Sequence, residues 1–289
     1  MSDIAIIGAG KLGTNLGYAL MRKGHRITVL SDKNLPSAQE SQQIIGQGEV
    51  TDENSSAARH GQWIILAVPD DAIETVAEEL ADSALEWQDR FVFHCSGLHT
   101  TDSLNSLEKR GALVASLHPV QSFPQKKPDP KAFEDIFFGL EGKQEALNLA
   151  IGITRQLGGR FFILEASNKP LYHTACSMAS NFLATLLDTA AELLSLAGLA
   201  DSTSSQVLMP LVQGTLQNVN KFDAGKALTG PVVRGDEKSI AKHLEALREL
   251  PELYDLYTTV AYRSLQIAKR EKYLSEEKIK ALKALLGDK

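Results

Sequence analysis

Three glycines near the start of the chain are spaced as in a loop that binds phosphate groups. Gly8, Gly10 and Gly13 follow a short apolar run and open an amphipathic helical pattern. At this spacing the first glycine permits a tight turn, the second lets the backbone approach a pyrophosphate, and the third lets the helix pack closely on the strand. The helix would add amide donors at Lys11 and Leu12. These five residues are predicted to bind a dinucleotide, since a turn without a ligand would explain one glycine but not three.

The end of the second predicted strand should decide between the two nicotinamide dinucleotides. An acidic side chain there accepts hydrogen bonds from the ribose of NAD and repels the 2′-phosphate of NADP. Counting along the strand places Ser31 at this position, with the cation Lys33 close behind it. A hydroxyl and a nearby cation predict NADP(H) as the cofactor. A register shift of one residue would instead give the acidic role to Asp32.

Two other predicted strands end in segments that could line the same crevice. Ala67, Val68 and Pro69 follow one of them, and Ser96 and Gly97 follow the other. Doubly wound sheets bind their ligands at the carboxyl ends of the strands. We therefore expect these five residues to contact the cofactor. The alternative for each is an ordinary turn at the end of a strand.

A reductase that uses a nicotinamide needs a side chain that delivers a proton and another that positions the substrate. His173 and Asn181 lie in one helical stretch, about 80° apart around the axis, so both could flank one cleft. Lys169 lies one helical turn before His173. We rank His173 ahead of Lys169 as the proton donor and expect Asn181 to position the substrate oxygen. The alternative is that Lys169 caps the helix and His173 is a core or surface residue.

Two more side chains could contact a substrate. His118 ends a predicted strand and could bind the substrate or relay a proton. Arg234 follows a Gly-Pro turn, and its planar guanidinium could bind a substrate carboxylate through two hydrogen bonds. A histidine bonded within a strand-end turn, and a turn network between Arg234 and Asp236, explain the same residues without a ligand. Cys176, on an apolar helix face, is predicted to pack and not to act as a nucleophile.

The elements that must position these residues alternate along the first part of the chain. Short β-branched or aromatic runs alternate with helical patterns, the order typical of a parallel sheet with helices on both faces. The predicted strands are Ile4–Ile7, Arg26–Leu30, Trp63–Val68, Arg90–Cys95, Leu113–Leu117, Ile136–Leu140 and Arg160–Leu164. We predict an α/β fold in which a doubly wound, mostly parallel Rossmann sheet occupies residues 1–166 and an all-α C-terminal domain follows.

The pattern changes in residues 167–289, where no strand signal appears. Polar capping residues and Pro170 open a long, nearly all-round apolar helix that is predicted to reach Gly198. Further helices are predicted over residues 204–219, 236–249, 252–272 and 275–286. This domain is predicted to serve substrate binding and dimerisation. The apolar helix needs cover, and a second copy of the chain would provide it, so we expect a homodimer.

Composition argues against several classes of protein. The 289 residues carry a net charge of −6, so we expect no nucleic-acid partner. The two cysteines, Cys95 and Cys176, suit neither a disulfide framework nor a metal site, and we expect no metal. The chain opens without a signal-peptide pattern, and acidic residues interrupt its most apolar stretch. We therefore expect a cytoplasmic protein that does not associate with membranes.

Five segments together resemble one protein family. They are Gly8–Gly13, Val68–Asp70, His94–Gly97, Ser116–Phe123 and Leu228–Asp236, of which the Thr-Gly-Pro-x-x-Arg-Gly-Asp stretch in the last is the most specific. Over nearly its whole length the chain resembles the Rossmann-like proteins that carry a DUF2520 C-terminal domain. These belong with the 6-phosphogluconate-dehydrogenase-like superfamily, which includes pyrroline-5-carboxylate reductase, prephenate dehydrogenase and ketopantoate reductase.

The resemblance implies an NADP(H)-dependent oxidoreductase that reduces a small carboxylated 2-oxo acid, with ketopantoate as the most specific candidate. It leaves open an imine reductase that resembles pyrroline-5-carboxylate reductase, and a protein that binds NADP(H) without catalysis and acts as a redox sensor. Ketopantoate reductases carry a lysine followed by asparagines at helical spacing on the first helix of the second domain. Here Lys169 is followed by His173 at that spacing, and the identity of the catalytic acid stays open.

Overall fold

A computed structural model of the chain describes residues 1–287, without the side chains of residues 201, 202 and 205. An eight-stranded sheet forms the centre of the first of two compact units, Met1–Asn181. Its strands are β1 (Asp3–Ile7), β2 (Arg26–Ser31), β3 (Glu49–Thr51), β4 (Trp63–Leu66), β5 (Phe91–His94), β6 (Leu113–Pro119), β7 (Phe137–Gly142) and β8 (Arg160–Ile163). The strand order is β3-β2-β1-β4-β5-β6-β7-β8, and the pairs are parallel except for β6 with β7.

Helices cover both faces of this sheet. They are α1 (Lys11–Arg22), α2 (Leu35–Ile45), α3 (Asn54–Arg59), α4 (Ile73–Asp82), α5 (Asn105–Glu108), α6 (Gln144–Gln156) and α7 (Lys169–Ala179). Successive residues of a strand point to opposite faces, so one strand contributes to two cores. In β4, Ile65 packs into the core that includes α1 and α6, while Ile64 and Leu66 pack into the core that includes α4. Burial on both faces explains why the central strands are continuous apolar runs.

The order of the strands reverses at β1, which lies between β2 and β4. At such a switch point the connections after neighbouring strands leave in opposite directions and open a crevice at the carboxyl edge. The glycine loop of residues 8–13 follows β1, and Ala67 follows β4, so both lie at this crevice. The sheet thereby places the predicted dinucleotide site where the topology provides space for a ligand.

The second compact unit, Phe182–Lys289, is helical in the part that the structure describes. Its elements are α8 (Asn181–Leu196), α9 (Asp201–Ala227), α10 (Pro231–Arg234), α11 (Glu237–Ala246), α12 (Pro251–Arg270) and α13 (Glu276–Leu286). Helices α10 to α13 share one apolar core, in which Ile240, Leu265 and Leu282 are fully buried. This core is separate from the two cores of the sheet.

The predicted fold class is confirmed, and each of the seven predicted strands is present within a few residues of its expected bounds. The short strand β3 was not predicted, because three residues are too few to display an alternating pattern. The prediction of a single helix that reaches Gly198 is wrong. Ser180, with φ of −117° and ψ of −70°, separates α7 from α8.

The division between the compact units also differs from the predicted boundary after residue 166. The first unit continues to Asn181 because α7 packs on the sheet, where Lys169 is buried and Tyr172 contacts His118. None of the described helices is both long and apolar enough to cross a membrane. Among the side chains that the structure describes, no three from His, Cys, Asp or Glu are grouped so that they could hold a metal ion.

Candidate functional site

The glycine loop between β1 and α1 is shaped by close backbone contacts. Gly8 has a φ of +96°, and a Cβ atom there would lie 2.5 Å from the carbonyl oxygen of Ala67. A Cβ atom at Gly13 would lie 2.1 Å from the carbonyl oxygen of Gly8. Packing therefore requires both glycines. At Gly10 a Cβ atom would meet nothing within 4 Å, so this glycine leaves open space beside the loop.

Helix α1 begins directly after Gly10, with its amino end at that loop. The first intrahelical bond runs from the amide of Thr14 to the carbonyl of Gly10. The amides of Lys11, Leu12 and Gly13 therefore have no acceptor within the helix. No acidic side chain lies in the first turn, so the helix dipole and these amides favour an anion. The loop fits the pyrophosphate of a dinucleotide.

The three residues around the end of β2 have different surroundings. Ser31 is fully buried, and its hydroxyl donates to Oδ1 of Asn54 at 2.8 Å. The carboxylate of Asp32 accepts a hydrogen bond from the amide of Ala9, in the glycine loop, at 2.9 Å. Lys33 is exposed. The structure thus places the acidic side chain, and not the serine hydroxyl, beside the loop.

The segment after β4 lies against the glycine loop. The amide of Ala67 donates to the carbonyl of Ile7 at 2.8 Å, and the carbonyl oxygen of Ala67 is the atom that excludes a side chain at Gly8. Val68 is partly exposed and Pro69 is exposed, and a 3-10 turn follows them. The predicted strand-end residues therefore border the loop, with Ala67 in direct contact.

A cavity of about 700 Å³ lies within the first unit, along α7 and the end of β6. The residues that line it are His118, Val120, Gln121, Ser122, Tyr172, His173, Ala175, Cys176, Ser177, Ala179, Ser180 and Asn181. Two imidazoles approach the turn after β5: a Cβ atom at Gly97 would lie 2.9 Å from Cδ2 of His173 and 3.0 Å from Nε2 of His118. A glycine at this position lets both rings reach the same edge of the sheet.

His118 is held by a tyrosine. Its Nδ1 lies 2.6 Å from the hydroxyl oxygen of Tyr172. Burial, together with the positive charges of His173 and Lys169, lowers the pKa of His118 to about 4. Burial is also the largest reason why the pKa of Tyr172 lies above its usual range. At neutral pH the pair therefore consists of a neutral imidazole and a protonated phenol.

Lys169 begins α7 and is buried beneath the same strand ends, with 1% of its surface exposed. Its ammonium donates to Oγ of Ser116 at 2.5 Å and to the carbonyl oxygen of Ser96 at 3.4 Å. Burial lowers the pKa of Lys169 to about 8, although the negative charges of Glu141 and Asp70 oppose that shift. Lys169 is therefore neither a simple helix cap nor a surface residue.

Glu141 completes this cluster and was not predicted from the sequence. It lies on β7 directly opposite Ser116 of β6, and its Oε2 is 4.0 Å from the Lys169 ammonium. Its carboxylate accepts hydrogen bonds from the amide and the hydroxyl of Thr101, at 2.8 and 2.7 Å. The available signal was a single acidic residue in an otherwise apolar and glycine strand sequence. Tyr172 was also missed, because nothing near it in sequence indicates its contact with His118.

The remaining predicted residues fall in two places. Asn181 lines the cavity, but it starts α8 and does not share a helix with His173. Arg234 is exposed in the second unit, so its role in binding a carboxylate stays a prediction. Asp236 accepts hydrogen bonds from the amide and hydroxyl of Ser239 and thereby caps α11.

Two family models match consecutive parts of the sequence. Residues 2–119 match a Rossmann-like domain, and residues 136–264 match a domain of unknown function, DUF2520. The resemblance that the five sequence segments indicated is confirmed. The sequence matches no curated protein.

Several solved structures are similar to the chain. A Bacteroides fragilis protein, provisionally described as an NADP oxidoreductase, is 26% identical, with a TM-score of 0.78 over 92% of this chain and 98% of that chain. A Thermotoga maritima protein is 27% identical, with a TM-score of 0.71 over 93% of this chain and 99% of that chain. The pyrroline carboxylate reductase of Plasmodium falciparum, with NADP bound, is 13% identical, with a TM-score of 0.59 over 99% and 98%. This last likeness is one of fold alone.

Proposed function

Since the chain is a Rossmann-like protein with a DUF2520 domain, we propose that it is an NAD(P)H-dependent reductase of a small carboxylated 2-oxo acid, with ketopantoate as the first candidate. The observation that carries this proposal is the meeting of His118, Tyr172 and His173 beside Gly97. The Bacteroides fragilis protein, provisionally described as an NADP oxidoreductase, supports the same class of chemistry.

The glycine loop and the two imidazoles lie on the same edge of the sheet. The strands β4 and β5 separate β1 from β6, and neighbouring strands are about 4.8 Å apart. The turn after β5, which contains Ser96 and Gly97, is therefore two strand spacings, or about 10 Å, from the strand that leads into the loop. A dinucleotide held by the loop could reach this turn with its nicotinamide half.

A bound reduced nicotinamide supplies the hydride that the reduction needs. The residues of this chain must orient the carbonyl group and deliver a proton to its oxygen. His173 lines the cavity, and an imidazole is the side chain best suited to deliver protons near neutral pH. We assign the proton donor to His173. Asn181, on the same cavity wall, can bind the substrate oxygen through its amide.

His118 contributes as a neutral hydrogen-bond donor. If the hydroxyl of Tyr172 donates to Nδ1, the proton of the neutral ring is on Nε2, which lies on the side of the ring that faces the turn at Gly97. That N–H group can donate to a substrate carbonyl and polarise it. Tyr172 then fixes both the tautomer and the orientation of the ring.

Lys169 acts from beneath the turn after β5. Because the pKa of Lys169 is about 8, its side chain is mostly protonated and positively charged at neutral pH. The charge lies 3.4 Å from the carbonyl oxygen of Ser96 and stabilises negative charge that develops nearby on the substrate. Lys169 is the second candidate for the proton donor, while Ser116 and Glu141 hold it in place.

The test is a substrate screen with the purified chain. Oxidation of NADH and NADPH would be followed with ketopantoate, other 2-oxo acids and pyrroline-5-carboxylate, for the wild type and for His173→Ala and His118→Ala. We expect turnover of a 2-oxo acid that falls strongly in both variants but not in the control Ser122→Ala, which changes a non-ionisable side chain of the same cavity. Turnover of the cyclic imine alone would identify an imine reductase. Cofactor binding without turnover of any substrate would identify a non-catalytic binding protein.

We also propose that the second unit pairs with a second copy of the chain. Helix α8 has no buried residue, and α8 and α9 expose large apolar side chains that include Phe182, Leu186, Leu196, Val207, Met209, Leu211, Leu216 and Phe222. Exposed apolar side chains in this number need cover, and an isologous dimer covers them with the same helices of its partner. Sedimentation at micromolar concentration should give a dimer, which Leu211→Glu should dissociate. A monomeric wild type would contradict the proposal.

A further inference from the structure

The carboxylate of Asp32 is fixed at the glycine loop by two backbone amides. Its Oδ2 accepts from the amide of Ala9 at 2.9 Å, and its Oδ1 accepts from the amide of Asn34 at 2.9 Å. Each carboxylate oxygen has two lone pairs, so each can accept one further hydrogen bond. Asp32 is only partly buried.

Ser31 cannot contribute to the same place without a rearrangement. It is fully buried, and its hydroxyl is bonded to Asn54, whose side-chain amide in turn donates to Glu79 at 3.0 Å. The carbonyl of Ser31 accepts from the amide of Gly8 at 2.8 Å, which fixes the register of the strand end against the loop. The position that faces the loop therefore belongs to the residue after Ser31.

From this geometry we infer that Asp32 binds the ribose hydroxyls on the adenosine side of the cofactor, and that the chain prefers NAD(H) to NADP(H). The inference rests on the proposed dinucleotide binding. Two adjacent hydroxyls can donate to the two free acceptor positions of one carboxylate. The 2′-phosphate of NADP(H) would instead lie against the Asp32 carboxylate. Repulsion between the two anions and the loss of the ribose hydrogen bond would both lower the affinity.

The cations near Asp32 do not remove this conflict. The ammonium of Lys126 is bonded to the hydroxyl and the carbonyl oxygen of Ser37, at 2.7 and 2.8 Å, and pairs with Glu40 at 3.1 Å. Lys33 is exposed, and one solvated lysine interacts weakly with an anion. Asp32 also cannot turn away freely, because the buried amide of Ala9 would lose its acceptor.

The test measures cofactor binding and needs no substrate. Dissociation constants for NADH and NADPH would be determined by titration calorimetry for the wild type, Asp32→Ser and the control Asp52→Ser. The control removes one negative charge from the exposed residue after β3. We expect the wild type to bind NADH about tenfold or more tightly than NADPH, and Asp32→Ser to reduce this ratio by about tenfold, while Asp52→Ser keeps it.

Three outcomes separate the inference from the function on which it rests. The wild type could prefer NADPH, and Lys33→Ala could lower the affinity for NADPH but not for NADH. That result would assign the cofactor preference to Ser31 and Lys33, and it would overturn the inference but not the proposed function. An unchanged ratio in Asp32→Ser, with a circular dichroism spectrum like that of the wild type, would also overturn it. If folded wild-type protein binds neither cofactor, the proposed function fails as well.

Discussion

The glycine loop and the wall of the cavity lie on one edge of one sheet, but they are built by opposite means. In the loop the backbone forms the site: two glycines are required by packing, and a third leaves open space at a helix terminus. In the wall and in the lysine cluster beneath it the side chains form the site, and they come from β6, β7 and α7. The loop occupies six consecutive residues, whereas the residues of the wall are spread from His118 to Asn181.

Because of this difference, the loop and the wall tolerate different kinds of substitution. A backbone site fails when a side chain is added, and where packing requires the glycine, as at Gly8 and Gly13, the failure is one of folding as well as binding. A side-chain site fails when a functional group is removed, and the fold can remain intact. The two regions therefore respond to different substitutions, which gives four ways to test the comparison, from the largest expected effect to the smallest.

The largest effect is expected from Gly13→Ala. The added Cβ atom would lie 2.1 Å from the carbonyl oxygen of Gly8, so the loop must distort. We expect the free energy of unfolding of the first unit to fall by about 3 kcal/mol. Urea unfolding followed by the fluorescence of Trp63 and Trp87, both in the first unit, would measure it.

Gly10→Ala is the matched control within the same loop. A Cβ atom there meets nothing within 4 Å, so stability should change by less than about 0.5 kcal/mol. Dinucleotide affinity should nevertheless fall, because the methyl group occupies the space into which a pyrophosphate must come. Equal loss of stability in both variants would contradict the distinction between packing glycines and an open one.

In the cavity wall, His173→Ala should lower kcat by about 100-fold, the effect typical of removing a positioned proton donor. The free energy of unfolding should change little, because His173 is partly exposed and lines a cavity. Cofactor affinity should also remain within about threefold of the wild type. If kcat is unchanged while Lys169→Met abolishes turnover, the proton donor is Lys169.

Lys169 should make the stability of the first unit depend on pH. Its pKa is about 8 in the folded chain and about 10.4 in an unfolded one. Between these values the unfolded chain binds more protons, so the free energy of unfolding rises with pH through this window. We expect a rise of about 2 kcal/mol in the wild type relative to Lys169→Met. The control Lys109→Met, at an exposed position, should show the full rise of the free energy of unfolding with pH. If Lys169→Met also shows the full rise, another group causes the effect.

The sequence predicted the backbone site more completely than the side-chain site, for a physical reason. The loop depends on local spacing, so Gly8, Gly10 and Gly13 carry their own signal. The lysine cluster depends on strand pairing: Glu141 meets Ser116 only because β7 runs antiparallel to β6, and local spacing does not encode that pairing. The other strands were predicted because burial on both faces makes them continuous apolar runs. Strand β3 has only three residues and is not an apolar run.

Two details at the ends of strands and helices could be determined only from the three-dimensional structure. Ser31 was predicted to determine the cofactor by counting along the second strand, where a shift of one residue gives Asp32 instead. The pairing of Ile7 with Ser31 in the sheet fixes that count. The break between α7 and α8 involves no proline or glycine, so nothing in the local sequence marks Ser180 as the end of a helix. Boundaries of this kind depend on tertiary packing more than on propensity.

The smallest expected effect is that of Tyr172→Phe, which removes one hydroxyl from the wall and keeps the ring. The loss leaves Nδ1 of His118 without its partner at 2.6 Å, and a hydrogen bond of this kind contributes about 1 kcal/mol. We expect kcat/KM to fall by about fivefold to tenfold, because the imidazole can then adopt either tautomer. The control Tyr18→Phe changes a tyrosine of α1 that does not line the cavity and should leave kcat/KM unchanged. If Tyr172→Phe also leaves it unchanged, His118 does not need a fixed tautomer, and the wall would depend on His173 and Lys169 alone.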